Sequence, residues 1–218
     1  MPTAIIGTGN IGKAVATHLT DAGEPVILAT SSLTQAEQLA RALGPSASAT
    51  DVPSAIDRAD AVIFAVWFNV LQDLVRENAA RLAGKVVIDP SNPVAMNVNG
   101  QFSRTLPDGV SAGSVIAGLL PASAHYVKAF GTIAAEKLAD AADCTPDRAV
   151  LFYATDDDTA AAIAEHLITA AGFDPVKAGG LNQAIRIEMF GDLHDFGGLN
   201  GKLLTVTQAR ALLASTPA

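Results

Sequence analysis

The residues with the plainest chemical meaning are the three glycines of Gly7-Thr8-Gly9-Asn10-Ile11-Gly12. At this spacing the first glycine permits a tight turn, the second lets the backbone approach a pyrophosphate, and the third lets a helix pack closely on a strand. The pattern carries that meaning only between a strand and a helix. Here Ala4-Ile5-Ile6 is a short apolar run, and Lys13 to Asp21 reads as a helix. The N–H groups and positive dipole end of that helix would face the phosphates. Gly7, Thr8, Gly9, Asn10 and Ile11 are therefore candidate cofactor contacts, and the chemistry they serve is dinucleotide binding.

A second strand, Glu24 to Ala29, runs into Thr30-Ser31-Ser32. About 20 residues past the glycines, an NAD site places an Asp or Glu on the ribose 2′-OH, and that carboxylate would repel a 2′-phosphate. Hydroxyls stand here instead, before a helix that Thr34-Gln35-Ala36-Glu37 opens with a capping-box pattern. Thr30, Ser31 and Ser32 are expected to meet the 2′-phosphate of NADP together with helix N–H groups. The plainer role open to Ser31 and Ser32 is to cap that helix.

The elements that must position such a site follow in alternation. A short third strand fits 47–49, a helix begins at Asp51, and Ala61 to Val66 is an unbroken apolar strand, the mark of a parallel strand covered on both faces. Residues at the carboxyl ends of such strands border the ligand crevice of an open α/β sheet. That rule nominates Ala65, Val66 and Trp67 for the nicotinamide end, with ordinary packing as the alternative for Trp67. A helix from Val70 to Leu82 and a fifth strand, Lys85 to Asp89, lead to Pro90-Ser91-Asn92-Pro93, a stiff loop that sets Asn92 at the same edge. Gln101 to Gly113 reads as a polar, mobile loop, Ser114 to Leu120 as a short helix, and His125 to Phe130 as a sixth strand carrying Lys128 and Ala129. Strands at 149–153 and 173–177 and helices from Thr159 to Ala171 and Leu181 to Phe196 complete the chain. No low-complexity linker interrupts it, so residues 1–218 are expected to form one α/β domain. Its core, 1–125, is a Rossmann-like doubly wound parallel sheet, and 126–218 extends the same sheet.

Composition narrows the partners. With 22 acidic and 14 basic residues the net charge is −8, which disfavours nucleic acid and anionic membrane and leaves small molecules. Cys144 is a lone cysteine, no Cys/His cluster has metal spacing, and a strand occupies the place of a targeting segment, so a cytoplasmic location is expected. The longest apolar run, Ala61 to Phe68, falls short of the roughly 18 residues of a membrane helix. Asp156-Asp157-Asp158 looks metal-like but is explained by capping and the dipole of the following helix.

With these motifs in view, the chain resembles the NADP oxidoreductases typified by the coenzyme F420-dependent NADP reductases, and looks related to the reductase domain of membrane metalloreductases. The resemblance rests on IIGTGNIG, ADAVIFAV, VVIDPSNPV, HYVKAFGTI at 125–133 and GDLHDFGG at 191–198. It implies NADPH in the Rossmann crevice and a deazaflavin (F420) or flavin ring stacked on its nicotinamide as a diffusible co-substrate. It assigns cofactor contacts to Gly7, Thr8, Gly9, Asn10, Ile11, Thr30, Ser31 and Ser32, and more loosely to Val66, Trp67, Asn92, Lys128 and Ala129. The family commonly has an arginine at the end of the second strand, where this chain has serine.

No catalytic side chain is nominated. Direct hydride transfer between two rings needs none, because the cofactors carry the chemistry and the protein supplies position and electrostatics. His194, between Asp192 and Asp195, invites a general-acid role but is expected to be structural, at a helix end packed in a homodimer or at a sheet edge. The expected activity is reversible hydride transfer between NADP(H) and a flavin-like acceptor. A non-catalytic NADP sensor and an NADPH-dependent reductase of another small substrate are the other classes. A β-hydroxyacid dehydrogenase would need a long helical second domain, which the alternation after residue 130 does not supply.

Overall fold

The apolar run before the glycines forms β1 (Thr3–Ile6), buried at every residue, in the middle of the sheet of the computed structural model, which describes residues 1–215. It is followed by α1 (Asn10–Asp21), β2 (Val26–Ala29), α2 (Leu33–Leu43), β3 (Ala47–Ala49), α3 (Val52–Arg58), β4 (Ala61–Phe64), α4 (Phe68–Leu82) and β5 (Val86–Asp89). β1 pairs in parallel with β2 and β4, β3 extends the β2 side, and β5 the β4 side. The side-chain period of two divides the apolar residues between two cores. Ile5, Leu28, Ile63 and Ile88 pack under Val15 and Leu19 of α1, whereas Ile6, Val62, Phe64 and Val87 pack under Ile56 of α3 and Leu71 and Val75 of α4. Each such side chain fully buried contributes about 1.5–3 kcal/mol, which is why the strands read as continuous apolar runs.

Next come β6 (Val94–Met96), β7 (Phe102–Arg104), α5 (Ala112–Ala117), β8 (His125–Lys128), α6 (Ala135–Asp140), β9 (Val150–Ala154), α7 (Asp158–Ala170), β10 (Asp174–Gly179), a 3-10 turn at Leu181–Gln183, α8 (Ala184–Ile187) and α9 (Val206–Ser215). Among the described residues the main sheet has the order β10-β9-β8-β5-β4-β1-β2-β3, so the expected Rossmann-like α/β sheet is present and continues into the C-terminal part. The sequence reading named neither α6 nor α9, and three further features differ from it. β9 and β10 are parallel to each other but β9 meets β8 antiparallel, at Lys128 and Ala154. A parallel return needs a crossover over the sheet face, and the β8–β9 connection holds only the six-residue α6, which packs on α1 instead. The expected polar loop contains one strand of an antiparallel hairpin, β6–β7. The expected helix from Leu181 to Phe196 ends at Ile187: Glu188 is extended, Phe190 is left-handed at φ 75, and Gly191 lies so close to the Ile185 and Arg186 carbonyls that a Cβ would not fit.

Candidate functional site

The turn after β1 has the local geometry its glycines require. Gly7 is left-handed at φ +101, and a Cβ there would run into the Ala65 carbonyl; a Cβ on Gly12 would run into Gly7 itself. Gly9 differs. It is exposed, its backbone is ordinary extended chain, and a Cβ there would meet nothing within 4 Å. Gly9 is the N-cap of α1 and no side chain caps that helix, so the first-turn N–H groups have no side-chain acceptor. The backbone is bare where a pyrophosphate would lie, and the residues present fit a dinucleotide.

At the end of β2, Thr30 is half-buried and Ser31 exposed. Ser32 is the N-cap of α2, its hydroxyl accepting the Gln35 N–H at 3.4 Å. The cap therefore falls two residues before the Thr34 capping box expected from sequence, and Ser32 holds the helix start while Ser31 faces outward.

A crevice of about 440 Å³ opens at the carboxyl edge of the sheet. Gly9, Asn10 and Ile11 line its first side, with Ala65, Val66 and Trp67 following β4 and Pro90, Ser91 and Asn92 following β5. The opposite wall comes from the hairpin (Val94, Met96, Phe102), the start of α6 (Ile133 to Glu136) and the 188–196 segment (Met189, His194, Phe196). Trp67 is the N-cap of α4 and is 54% exposed, so it is a wall of the crevice and not core packing.

Of the other sequence candidates, Asn92 lines the crevice but both ends of its amide are engaged, Nδ2 donating to the Gly131 carbonyl at 3.1 Å and Oδ1 accepting the Met189 N–H at 2.5 Å. Lys128 and Ala129 do not line it. Ala129 is in the core, and Lys128 is buried against Asp89, its Nζ donating to Oδ2 at 2.9 Å and to the Ser91 carbonyl. The same Asp89 oxygen accepts the Tyr126 hydroxyl at 2.7 Å, and Oδ1 accepts the Ser91 N–H at 2.7 Å. Burial beside that carboxylate pushes the Tyr126 phenol well up, so it stays protonated. This network fixes the Pro90–Asn92 rim, and Lys128 serves it as a structural cation.

Apart from His194, read as structural, the far wall was not assigned from the sequence. Glu188, fully buried, accepts the Gly113 N–H at 3.0 Å and lies 3.7 Å from Arg104 of β7; burial raises its carboxyl above the usual range. Asp195 accepts the Ala134 N–H at 3.1 Å and pairs with Lys137 at 2.7 Å. His194 is 1% exposed, its Nδ1 accepts the Phe196 N–H at 2.9 Å, and its ring stacks on Phe196. Burial pulls its pKa down to about 4, so the imidazole is neutral near pH 7. The three aspartates have local places: Asp157 caps α7 and pairs with His125 at 2.7 Å, Asp156 accepts the Leu181 N–H at 3.1 Å, and Asp158 lies in the first turn of α7. Among the described residues no helix is long and apolar enough to cross a membrane.

Residues 2–93 match the family described as coenzyme F420-dependent NADP oxidoreductases. The resemblance read from the sequence is borne out over that stretch, which ends one residue before β6. In structure the chain is similar to a hypothetical protein from Sinorhizobium meliloti, at 29% identity and a TM-score of 0.81, over 94% of this chain and 95% of that one. It is similar also to a protein from Arthrobacter sp. FB24 assigned as an F420-dependent NADP reductase, at 23% identity and a TM-score of 0.71, over 84% and 86% of the two chains. An imine reductase from Aspergillus terreus shares the fold at 19% identity and a TM-score of 0.60, over 83% of this chain and 56% of that one. No curated protein matches the chain in sequence.

Proposed function

We propose that the protein is an NADP(H)-dependent oxidoreductase that passes a hydride between nicotinamide and a flavin-like or deazaflavin ring seated beside it. The observation that carries this reading is continuity: the bare side of Gly9 and the apolar wall of Val66, Trp67, Met96 and Phe196 belong to one crevice. The family match supports the NADP-linked oxidoreductase class. When bound, NADPH supplies the hydride itself, with a proton from water completing reduction of the acceptor. The protein's part is positional. The α1 N-terminus takes the pyrophosphate, Ser31 and the start of α2 meet the 2′-phosphate, and Trp67 and Phe196 flank the space in which two rings stack. A neutral His194 completes the wall without donating a proton.

The test is anaerobic mixing of the protein and NADPH with F420, FMN, FAD, riboflavin, ferric chelates, imines and ketones, following loss of nicotinamide absorbance. Turnover with ring acceptors is expected. Ser31→Asp is expected to weaken NADPH binding at least tenfold, since it restores the carboxylate that opposes a 2′-phosphate. Reduction confined to carbonyl substrates would overturn the mechanism, and tight NADP binding with no turnover would favour a sensor.

A further inference from the structure

The hairpin side of the crevice depends on a residue that does not itself line it. We infer, on the hydride-transfer reading above, that Arg104 is a positioning residue for the acceptor: through Glu188 it holds β6 and β7 so that Met96 and Phe102 wall the ring site. Val94 pairs across the hairpin with Arg104, and Met96 with Phe102. A side-chain period of two sets these four on one face, with Ala95 and Ser103 exposed on the other. Val94, Met96 and Phe102 line the crevice. Arg104 does not; it lies 3.7 Å from the fully buried Glu188 and donates to the Val110 carbonyl.

Little else fixes the hairpin. Its two strands form a sheet of their own, apart from the main one. The bonds of its tip are internal: Asn97 Oδ1 accepts the Asn99 N–H at 2.9 Å and the Gln101 N–H at 3.0 Å, and Asn97 Nδ2 donates to Gln101 Oε1 at 3.1 Å. At the base the Thr105 N–H donates to the Pro93 carbonyl at 2.7 Å, which joins the two strands to each other and not to the rest of the protein. Among the described residues, Arg104 is the one side chain of 94–104 with a polar contact outside the hairpin. Apolar packing holds the base, where Val94 is buried, but not the tip, where Met96 is 57% exposed and Val98 wholly so. The place of Met96 and Phe102 is therefore set from Arg104. Its anchor is fixed in turn, since Glu188 accepts the Gly113 N–H at 3.0 Å, while its Oε2 has no hydrogen bond and Lys128 is committed to Asp89. Glu188 also precedes Met189, whose N–H Asn92 holds, so one ion pair joins the hairpin to the second part of the same wall. Removing the arginine would leave a buried carboxylate without its ion-pair partner and the hairpin without its tie.

The experiment compares wild type with Arg104→Met, Arg104→Lys and the double variant Arg104→Met/Glu188→Gln, in which no charge is left unpaired and Gly113 keeps an acceptor. Three things are read: ring binding to NADP⁺-saturated protein, by quenching of FMN and F420 fluorescence; kcat and KM for anaerobic NADPH oxidation; and hydrogen exchange of the 94–104 amides. Arg104→Met should raise the ring Kd and the acceptor KM at least tenfold, with kcat and NADP⁺ affinity within threefold. It should speed exchange in the hairpin but not in β1 or β4. Arg104→Lys, which keeps the charge, should lose less than threefold. The double variant should regain the urea midpoint of wild type and still bind rings at least tenfold more weakly; should Arg104→Met fail to fold, the double variant decides. Ring affinity regained along with stability, ring affinity unchanged in Arg104→Met, or an equal loss of NADP⁺ affinity would overturn the inference. Rings bound by wild type without turnover would sink hydride transfer and leave the inference standing, and no ring bound by wild type would overturn both.

Discussion

Asn92 Oδ1 accepts the Met189 N–H at 2.5 Å, tying the rim after β5 to the segment that closes the far side of the crevice. Its Nδ2 meanwhile holds the Gly131 carbonyl. Asn92→Ala would leave a largely buried N–H and a carbonyl without partners, at a cost of about 1–3 kcal/mol. We expect a lower urea midpoint of unfolding and a raised KM for the acceptor, with NADPH affinity changed less than threefold. An equal loss of NADPH affinity would mean that Asn92 contacts the cofactor directly, the role read for it from sequence.

Gly7 and Gly9 should separate folding from binding. Gly7→Ala puts a side chain at φ +101 and against the Ala65 carbonyl, so it should destabilise the fold by about 1–3 kcal/mol. At Gly9 a Cβ meets nothing within 4 Å, in a conformation that any residue adopts, so Gly9→Val is expected to fold normally. It should leave the thermal midpoint within a few degrees and still reduce NADPH affinity at least tenfold, because its bulk occupies the pyrophosphate position. Calorimetric unfolding and cofactor titration of both variants check this, and unchanged NADPH affinity in Gly9→Val would refute the proposed path of the cofactor.

His194 gives a dependence on pH with a definite sign. Its pKa falls from the usual 6.5 to about 4 on folding, so between those values the unfolded chain takes up a proton that the folded chain refuses. The stability due to the neutral ring is complete above pH 6.5 and is lost as pH falls toward 4, by about 3 kcal/mol in all. Glu188 acts the other way: its raised carboxyl keeps a proton to higher pH in the folded state, and its contribution declines as pH rises above its ordinary value of 4.5. The measurement is therefore the difference between wild type and His194→Asn, each unfolded in urea from pH 4 to 7. Wild type should lose about 3 kcal/mol more than the variant, and parallel curves would show that His194 is not the group. Activity at pH 7 should fall less than tenfold, since general acid catalysis typically contributes a hundredfold or more.

What the sequence made legible is what neighbouring residues encode. The Gly7–Gly12 turn, β4 as an apolar run and β3 at 47–49 each depend on a few consecutive residues, and each has the expected place. Cap positions were less legible, because Ser32 and Thr34 offer similar chemistry two residues apart and packing chose between them. The direction of β9 is not encoded within β9 at all; it goes with the path of the chain after β8, whose one helix, α6, packs on α1. The hairpin had a usable local signal in Asn99-Gly100, but its strands have three residues each and show no clear alternation. The far wall was least legible. Met189, His194 and Phe196 reach the crevice through bonds such as Asn92–Met189 that span 97 positions, and their own segment looked helical because its glycines were read without their packing.

The two sides of the crevice come from separate stretches of chain, and this bears on how such a protein diversifies. The dinucleotide side, residues 9–11 and 65–67, lies inside the stretch that matches the family, while the hairpin, the α6 start and the 188–196 segment all lie after residue 93. On the proposed function, mutations that reshape the acceptor wall need not disturb the turn proposed to hold the phosphates. If the proposed function holds, a lineage can exchange one electron acceptor for another while keeping its reductant, and homologues of this chain should drift fastest in the residues of the hairpin, the α6 start and the 188–196 segment.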